Sequence, residues 1–188
     1  GNHVHAVDRL GGYPVARRLS LNVSFGLRKR QGGSHGVKIV FAYEQHRNAP
    51  ERRQIHAFVE FAFGHCAFAD RCAWAAELDS EVAGFVLVLD PGDAYESRNY
   101  AWFSERSDAF LYLDRVAVDA SVRRAGVGTA IYDAVEEAAA EAGLPVLLEV
   151  NVQPVNEPSL AFHTARGYEA LGELEHPGGK VTRMFARH

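Results

Sequence analysis

Residues 110–142 do most to limit what this chain can fold into. An apolar run from Phe110 to Asp119 gives way, through Ser121-Val122-Arg123-Arg124-Ala125-Gly126-Val127-Gly128-Thr129, to a helical repeat. The run predicts a strand. The repeat predicts a helix over 126–142 with Val127, Ala130, Ile131, Ala134, Val135 and Ala138 on its buried face, closed by Gly143 and Pro145. Between them, Gly126 and Gly128 remove side chains where backbone N–H groups must approach an anion, and the helix start adds unpaired donors and a partial positive charge. Arg123 and Arg124 supply the counter-charge, so the segment reads as a pyrophosphate cradle. It is not a P-loop, because no Gly-Lys-Ser/Thr follows to meet a terminal phosphate and magnesium. It is not a dinucleotide fingerprint either, because only one glycine follows Gly126 and no acidic ribose ligand stands at the usual offset.

The rest of the chain alternates between strand and helix patterns. Cys72 to Leu78 and Val82 to Leu89 predict a hairpin, and Val146 to Val152 a buried strand. Ser159 to Arg166 predicts a short helix, and Ala170 to Glu175 with Lys180 to Ala186 a hairpin across His176-Pro177-Gly178-Gly179. Nearer the start, Val37 to Tyr43 predicts a strand. A helix follows from the Asn48-Ala49-Pro50-Glu51 cap, with Ile55, Phe58, Val59, Ala62, Phe63 and Cys66 packed on the sheet. The expected architecture is a mixed α/β layer fold. Residues 1–36 form a poorly defined N-terminal segment, in which Leu27 to Gly36 reads as a mobile basic loop, and residues 37–188 form a single domain. The basic cluster could meet RNA or lipid, and a solvated linker is the preferred reading.

A second motif stands downstream of the glycine loop: Asn156-Glu157-Pro158-Ser159-Leu160-Ala161-Phe162-His163-Thr164-Ala165-Arg166-Gly167-Tyr168. Together the two motifs resemble the GNAT N-acetyltransferase superfamily, in which an Arg-x-x-Gly-x-Gly loop is followed by an Asn before a short helix and a Gly-aromatic close. The likeness runs from about Arg71 to the C-terminus, with one departure: His163 stands where most members have a tyrosine. The resemblance implies a mostly antiparallel central sheet with splayed parallel strands and flanking helices, and acetyl-CoA as co-substrate. It places the pyrophosphate on Arg123, Arg124, Ala125, Gly126, Val127, Gly128 and Thr129, makes Asn156 a further cofactor contact, and brings the acetyl and pantetheine groups to the main chain of Val116, Ala117 and Val118. From sequence alone, those last three would be core.

Acetyl transfer to an amine needs a base, because an alkylammonium of pKa ~10 is protonated at neutral pH. Glu149, in the otherwise apolar Leu147-Leu148-Glu149-Val150, is either paired or working, and its position matches the glutamate base of some GNAT enzymes. Asp114, in Tyr112-Leu113-Asp114-Arg115, competes for the role or forms an ion pair with Arg115 or another nearby basic group; Glu149 is preferred. The tyrosine that His163 replaces protonates the leaving thiolate in the family. A histidine of ordinary pKa ~6.5 could donate, could merely hydrogen-bond the cofactor sulfur, or could lie on an exposed helix face.

The segment from Asp90 to Asp108 is too long for a simple connection. Its Tyr95, Tyr100, Trp102 and Phe103 either line an acceptor pocket, with Asp93 and Glu96 favouring a cation, or cover the sheet edge or a homodimer contact. Net charge is −4 over 188 residues, so nucleic acid is not expected as a partner. No apolar stretch reaches membrane-spanning length and no signal-peptide order opens the chain, from which a cytoplasmic location is expected. Cys66 and Cys72 have no zinc-spaced partners, so two reduced thiols and no metal are expected. The expected function is acetyl transfer from acetyl-CoA to the amine of a small molecule, amino acid or peptide by direct attack. The alternative is a non-catalytic acyl-CoA-binding or sensing module.

Overall fold

The computed structural model describes residues 23–28, 34–41, 73–78 and 81–188. These fall into two compact units, one of residues up to 88 together with 115–138, the other of 89–114 together with 139–188. The fold is mixed α/β, as the sequence predicts.

In the first unit, β1 (Val23–Arg28), β2 (Ser34–Phe41), β3 (Ala73–Leu78) and β4 (Glu81–Leu89) pair antiparallel in chain order. The segment read as a basic loop is therefore narrower than expected. Leu27 and Arg28 pair with His35 and Ser34, so its two ends belong to a hairpin. The predicted helix beyond Asn48, Cys66 and Cys72 lie outside the described residues. From Ala83 onward β4 is buried at every position, which suits its unbroken apolar run. The C-terminal half of β5 (Leu111–Val118) lies beside β4. Gly84 permits that approach: a Cβ there would sit 2.6 Å from the Ala117 carbonyl oxygen and 3.4 Å from Ile131 Cδ1. Ile131 belongs to α1 (Val127–Ala142), whose predicted stripe of Val127, Ala130, Ile131, Ala134, Val135 and Ala138 is buried throughout.

In the second unit, the start of β5 pairs parallel with β6 (Val146–Gln153), which pairs antiparallel with β8 (Val181–Arg187), and β8 with β7 (Glu169–Glu175). The parallel register covers Leu111↔Val146 and Tyr112↔Leu147 and ends there, although β5 runs on to Val118 and β6 to Gln153. This is the expected splay.

The long Asp90–Asp108 connection holds a helix, α2 (Arg98–Ser104), capped by Ser97, whose hydroxyl accepts from Tyr100 N–H at 3.3 Å. Two of its aromatics, Tyr100 and Phe103, are core residues. Their rings lie 5.4 and 5.7 Å from that of Tyr112. A third helix, α3 (Glu157–Ala165), precedes β7. Among the described residues no helix is long and apolar enough to cross a membrane.

Candidate active site

The glycine loop of the first unit is shaped by local bonds. Asp119 accepts from the Ser121 N–H at 2.8 Å and starts a single 3-10 turn, Ala120–Val122. Arg124 and Gly126 then take positive φ, 65° and 88°, and α1 begins at Val127. Gly126 is therefore favoured by the backbone itself. Gly128 is different: a Cβ there would meet only Val118 Cγ2, at 3.9 Å. The fold does not demand glycine at that position, whereas a ligand lying against the helix start would. Arg123, Arg124, Ala125 and Thr129 are exposed, and Val116, Ala117 and Val118 half-buried. The first N–H groups of α1 have no carbonyl within the helix to bond, which leaves donors beside two cationic side chains.

The second unit holds a carboxylate site made of side chains. Glu149 projects from β6. Its Oε1 accepts from Asn99 Nδ2 of α2 at 2.7 Å, and its Oε2 accepts from the Tyr112 hydroxyl of β5 at 2.8 Å. Tyr112 has one hydrogen to give, and Asp114 Oδ1, two residues along the same strand face, is farther away at 3.3 Å. Both carboxylate oxygens of Glu149 are thus met by donors. Even so, burial pushes its pKa up from the ordinary 4.5 to about 7; the nearby Asp114 charge adds to the rise, while the bonds from Tyr112 and Asn99 oppose it. That displacement is worth ~3 kcal/mol, so desolvation and like charge outweigh two charge-assisted hydrogen bonds of ~1.5–3 kcal/mol each. Tyr112 is fully buried, and burial beside two carboxylates drives its phenol far above the usual range, so it remains a donor.

Behind Asn99 stands Thr182 of β8, wholly buried, whose hydroxyl donates to Asn99 Oδ1 at 3.1 Å. His176, at the start of the β7–β8 turn, places Nε2 2.9 Å from the Thr182 oxygen. None of Asn99, Thr182 and His176 was a sequence candidate, and Tyr112 entered only as a neighbour of Asp114. Asn99 is 50 residues from Glu149 and Thr182 is 83 from Asn99, so no local pattern joins them. A polar residue within a strand could have marked Tyr112 and Thr182, whereas Asn99 on a helix and His176 in a turn carried no such signal.

His163 is buried on α3, not exposed on its outer face. Its Nδ1 lies 2.7 Å from the Ser159 carbonyl, which assigns the proton to Nδ1 and leaves Nε2 as the acceptor in the neutral ring. Its ring stacks on Phe185 at 6.3 Å and meets Tyr168 edge-on at 5.3 Å. Burial lowers its pKa, against the bond to Ser159. Asn156 caps α3, accepting from Ser159 N–H at 3.2 Å. Among the described residues no group of three His, Cys, Asp or Glu side chains could hold a metal ion.

The profile of the Acetyltransferase (GNAT) family matches residues 39–168. No curated protein sequence matches the chain. Among solved structures, a GNAT-family acetyltransferase from Listeria monocytogenes superposes with a TM-score of 0.57 at 11% identity, covering 85% of this chain and 100% of that one. Arabidopsis thaliana Naa50, in complex with the bisubstrate analogue CoA-Ac-MVNAL, gives 0.56 at 10% identity over 81% and 98%. NAA60 of the same plant, in complex with acetyl-CoA, gives 0.53 at 15% over 80% and 97%.

Proposed function

The chain belongs to the GNAT acetyltransferase family, and is thus an acyltransferase; on that premise we propose that it moves an acetyl group from acetyl-CoA to a primary amine of a small molecule, amino acid or peptide, with Glu149 as general base. The observation that carries this reading is the Glu149 carboxylate, held at both oxygens yet kept at a pKa of about 7 by burial. Such a group is about half ionised at neutral pH and binds a proton far better than an ordinary glutamate, which suits a base at the working pH. Taking a proton from an alkylammonium of pKa ~10 runs uphill by ~4 kcal/mol, and from an α-ammonium of pKa ~8 by ~1.4 kcal/mol. Both are within reach of an enzyme, the second more easily. That a fold neighbour was solved with the bisubstrate analogue CoA-Ac-MVNAL adds peptide termini to the acceptors worth testing.

In this reading the loop N–H groups from Gly126 to Thr129, with Arg123 and Arg124, hold the pyrophosphate of acetyl-CoA. The main chain of Val116, Ala117 and Val118 meets the pantetheine arm. Bound there, acetyl-CoA supplies the activated acyl group. Asp114 acts through its charge, helping to raise Glu149. His163, neutral and donating from Nδ1 to its own helix, serves as a wall residue that accepts at Nε2 and is not assigned as the acid. Once protonated, a carboxyl of pKa about 7 is a stronger acid than a thiol near ~8.5, so Glu149 can also return the proton. Asn156 is assigned to helix capping.

The test is release of free thiol from acetyl-CoA across a panel of alkylamines, amino acids and peptides, with mass spectrometry of the products. Thiol release that depends on an amine and matches the N-acetylated product is expected. Tight acetyl-CoA binding with no amine-dependent release would contradict the proposal and leave the binding-module reading.

A further inference from the structure

The row behind Glu149 is more elaborate than packing requires. Thr182 is wholly buried on β8, where a valine would fill the same space without a polar group to satisfy. Its oxygen instead stands between two polar side chains, Asn99 Oδ1 at 3.1 Å and His176 Nε2 at 2.9 Å. The single hydroxyl hydrogen could also reach the Leu174 carbonyl at 3.4 Å or Met184 Sδ at 3.8 Å, both poorer acceptors by distance. A His176 Nε2–H occupies a lone pair of the hydroxyl, leaving its hydrogen for Asn99.

The amide of Asn99 gives this arrangement its consequence. Its two ends have nearly the same shape and opposite hydrogen-bonding character, so only its partners decide which end faces Glu149. A donor at Thr182 holds Oδ1 towards itself and directs Nδ2 to the carboxylate at 2.7 Å. Without that donor the amide can turn over, and Oδ1 against Glu149 tolerates only a protonated carboxyl. The amide nitrogen and oxygen cannot hand a proton through, so the row orients groups and does not conduct protons.

We infer that Thr182, backed by His176, is a positioning residue for Glu149: its hydroxyl fixes the Asn99 amide with N–H, not C=O, facing the carboxylate. The inference builds on the reading of Glu149 as base, and its test is read on the Glu149 proton itself so that the two can fail separately.

The experiment is a 13C NMR titration of glutamate carboxyls in the full chain, with Glu149→Gln identifying the resonance. Thr182→Val, which keeps shape and removes the hydroxyl, should raise the Glu149 midpoint by about one pH unit, a tenfold gain in proton affinity. Thr182→Ser should restore the wild-type midpoint, and the ascending limb of kcat/KM should follow both. Should Thr182→Val not fold, His176→Ala probes the same hydroxyl from the turn and should raise the midpoint by a smaller amount. A wild-type midpoint in Thr182→Val, or in His176→Ala where that variant stands in, overturns the inference. So does an equal rise in Thr182→Ser. If the midpoint moves as expected while Glu149→Gln keeps full turnover, the positioning role stands and the base assignment falls.

Discussion

The glycine loop and the carboxylate row are built from different materials. The loop of residues 123–129 works through its backbone: positive φ at Arg124 and Gly126, a helix start, and two exposed arginines. The row at Glu149 works through side chains brought from α2, β5, β6, β8 and the β7–β8 turn. A backbone site depends on residues that are adjacent in sequence and is broken by adding bulk or strain. A side-chain site depends on partners scattered along the chain and is broken by removing single atoms. The first kind can be occupied by a large polyanion with little electronic tuning, whereas the second sets the proton affinity of one group.

If the two regions are separable in this way, each should fail without the other. The largest effect is expected from Gly126→Asp, which forces a non-glycine residue to φ 88° and sets a carboxylate where the pyrophosphate should bind. Calorimetry should record a loss of acetyl-CoA affinity of at least ~100-fold, about 2.7 kcal/mol, while the Glu149 titration stays at its wild-type midpoint. Next comes Gly84→Ala. Its Cβ would sit 2.6 Å from the Ala117 carbonyl, so the strand that leads into the loop must shift. Denaturant unfolding should report a loss of ~1–3 kcal/mol.

The smallest effect falls on the row. Tyr112→Phe removes a donor that favours the charged form of Glu149, so the carboxyl should titrate above its present value of about 7. The ascending limb of the kcat/KM profile should move to higher pH by about one unit, roughly 1.4 kcal/mol, with acetyl-CoA affinity unchanged. Coupled losses in these variants, with Gly126→Asp moving Glu149 or Tyr112→Phe weakening acetyl-CoA binding, would break the comparison.

The same division explains what the sequence made legible. Strand, loop and helix from Phe110 to Ala142 could be read because each residue's role depends on its near neighbours, and the buried stripe of α1 follows directly from a 3.6-residue period. Glu149 was visible as a carboxylate in an apolar strand. Its partners were not, since strand pairing and the packing of α2 bring Asn99 across 50 residues and Tyr112 across 37. The aromatics before β5 were less legible for a related reason: Tyr100 and Phe103 read equally as lining for a pocket or as cover for the sheet edge or a dimer contact, and it is helix formation that places both in the core. His163 was placed on the right element and its bond to Ser159, four residues back, is local; its burial, which lowers its pKa, depends on Phe185 and Tyr168 closing over it.

The central claim is that Glu149 accepts the amine's proton from a site that holds its pKa at about 7. The pH dependence of kcat/KM for acetyl transfer, wild type against Glu149→Gln, tests it most directly, using an amine whose own titration is determined separately. Wild type should rise through a limb near 7 that is additional to the amine's own. Glu149→Gln should lose that limb and fall by about 10²–10⁴-fold at its plateau. The same limb persisting in Glu149→Gln, at an unchanged rate, would contradict the account.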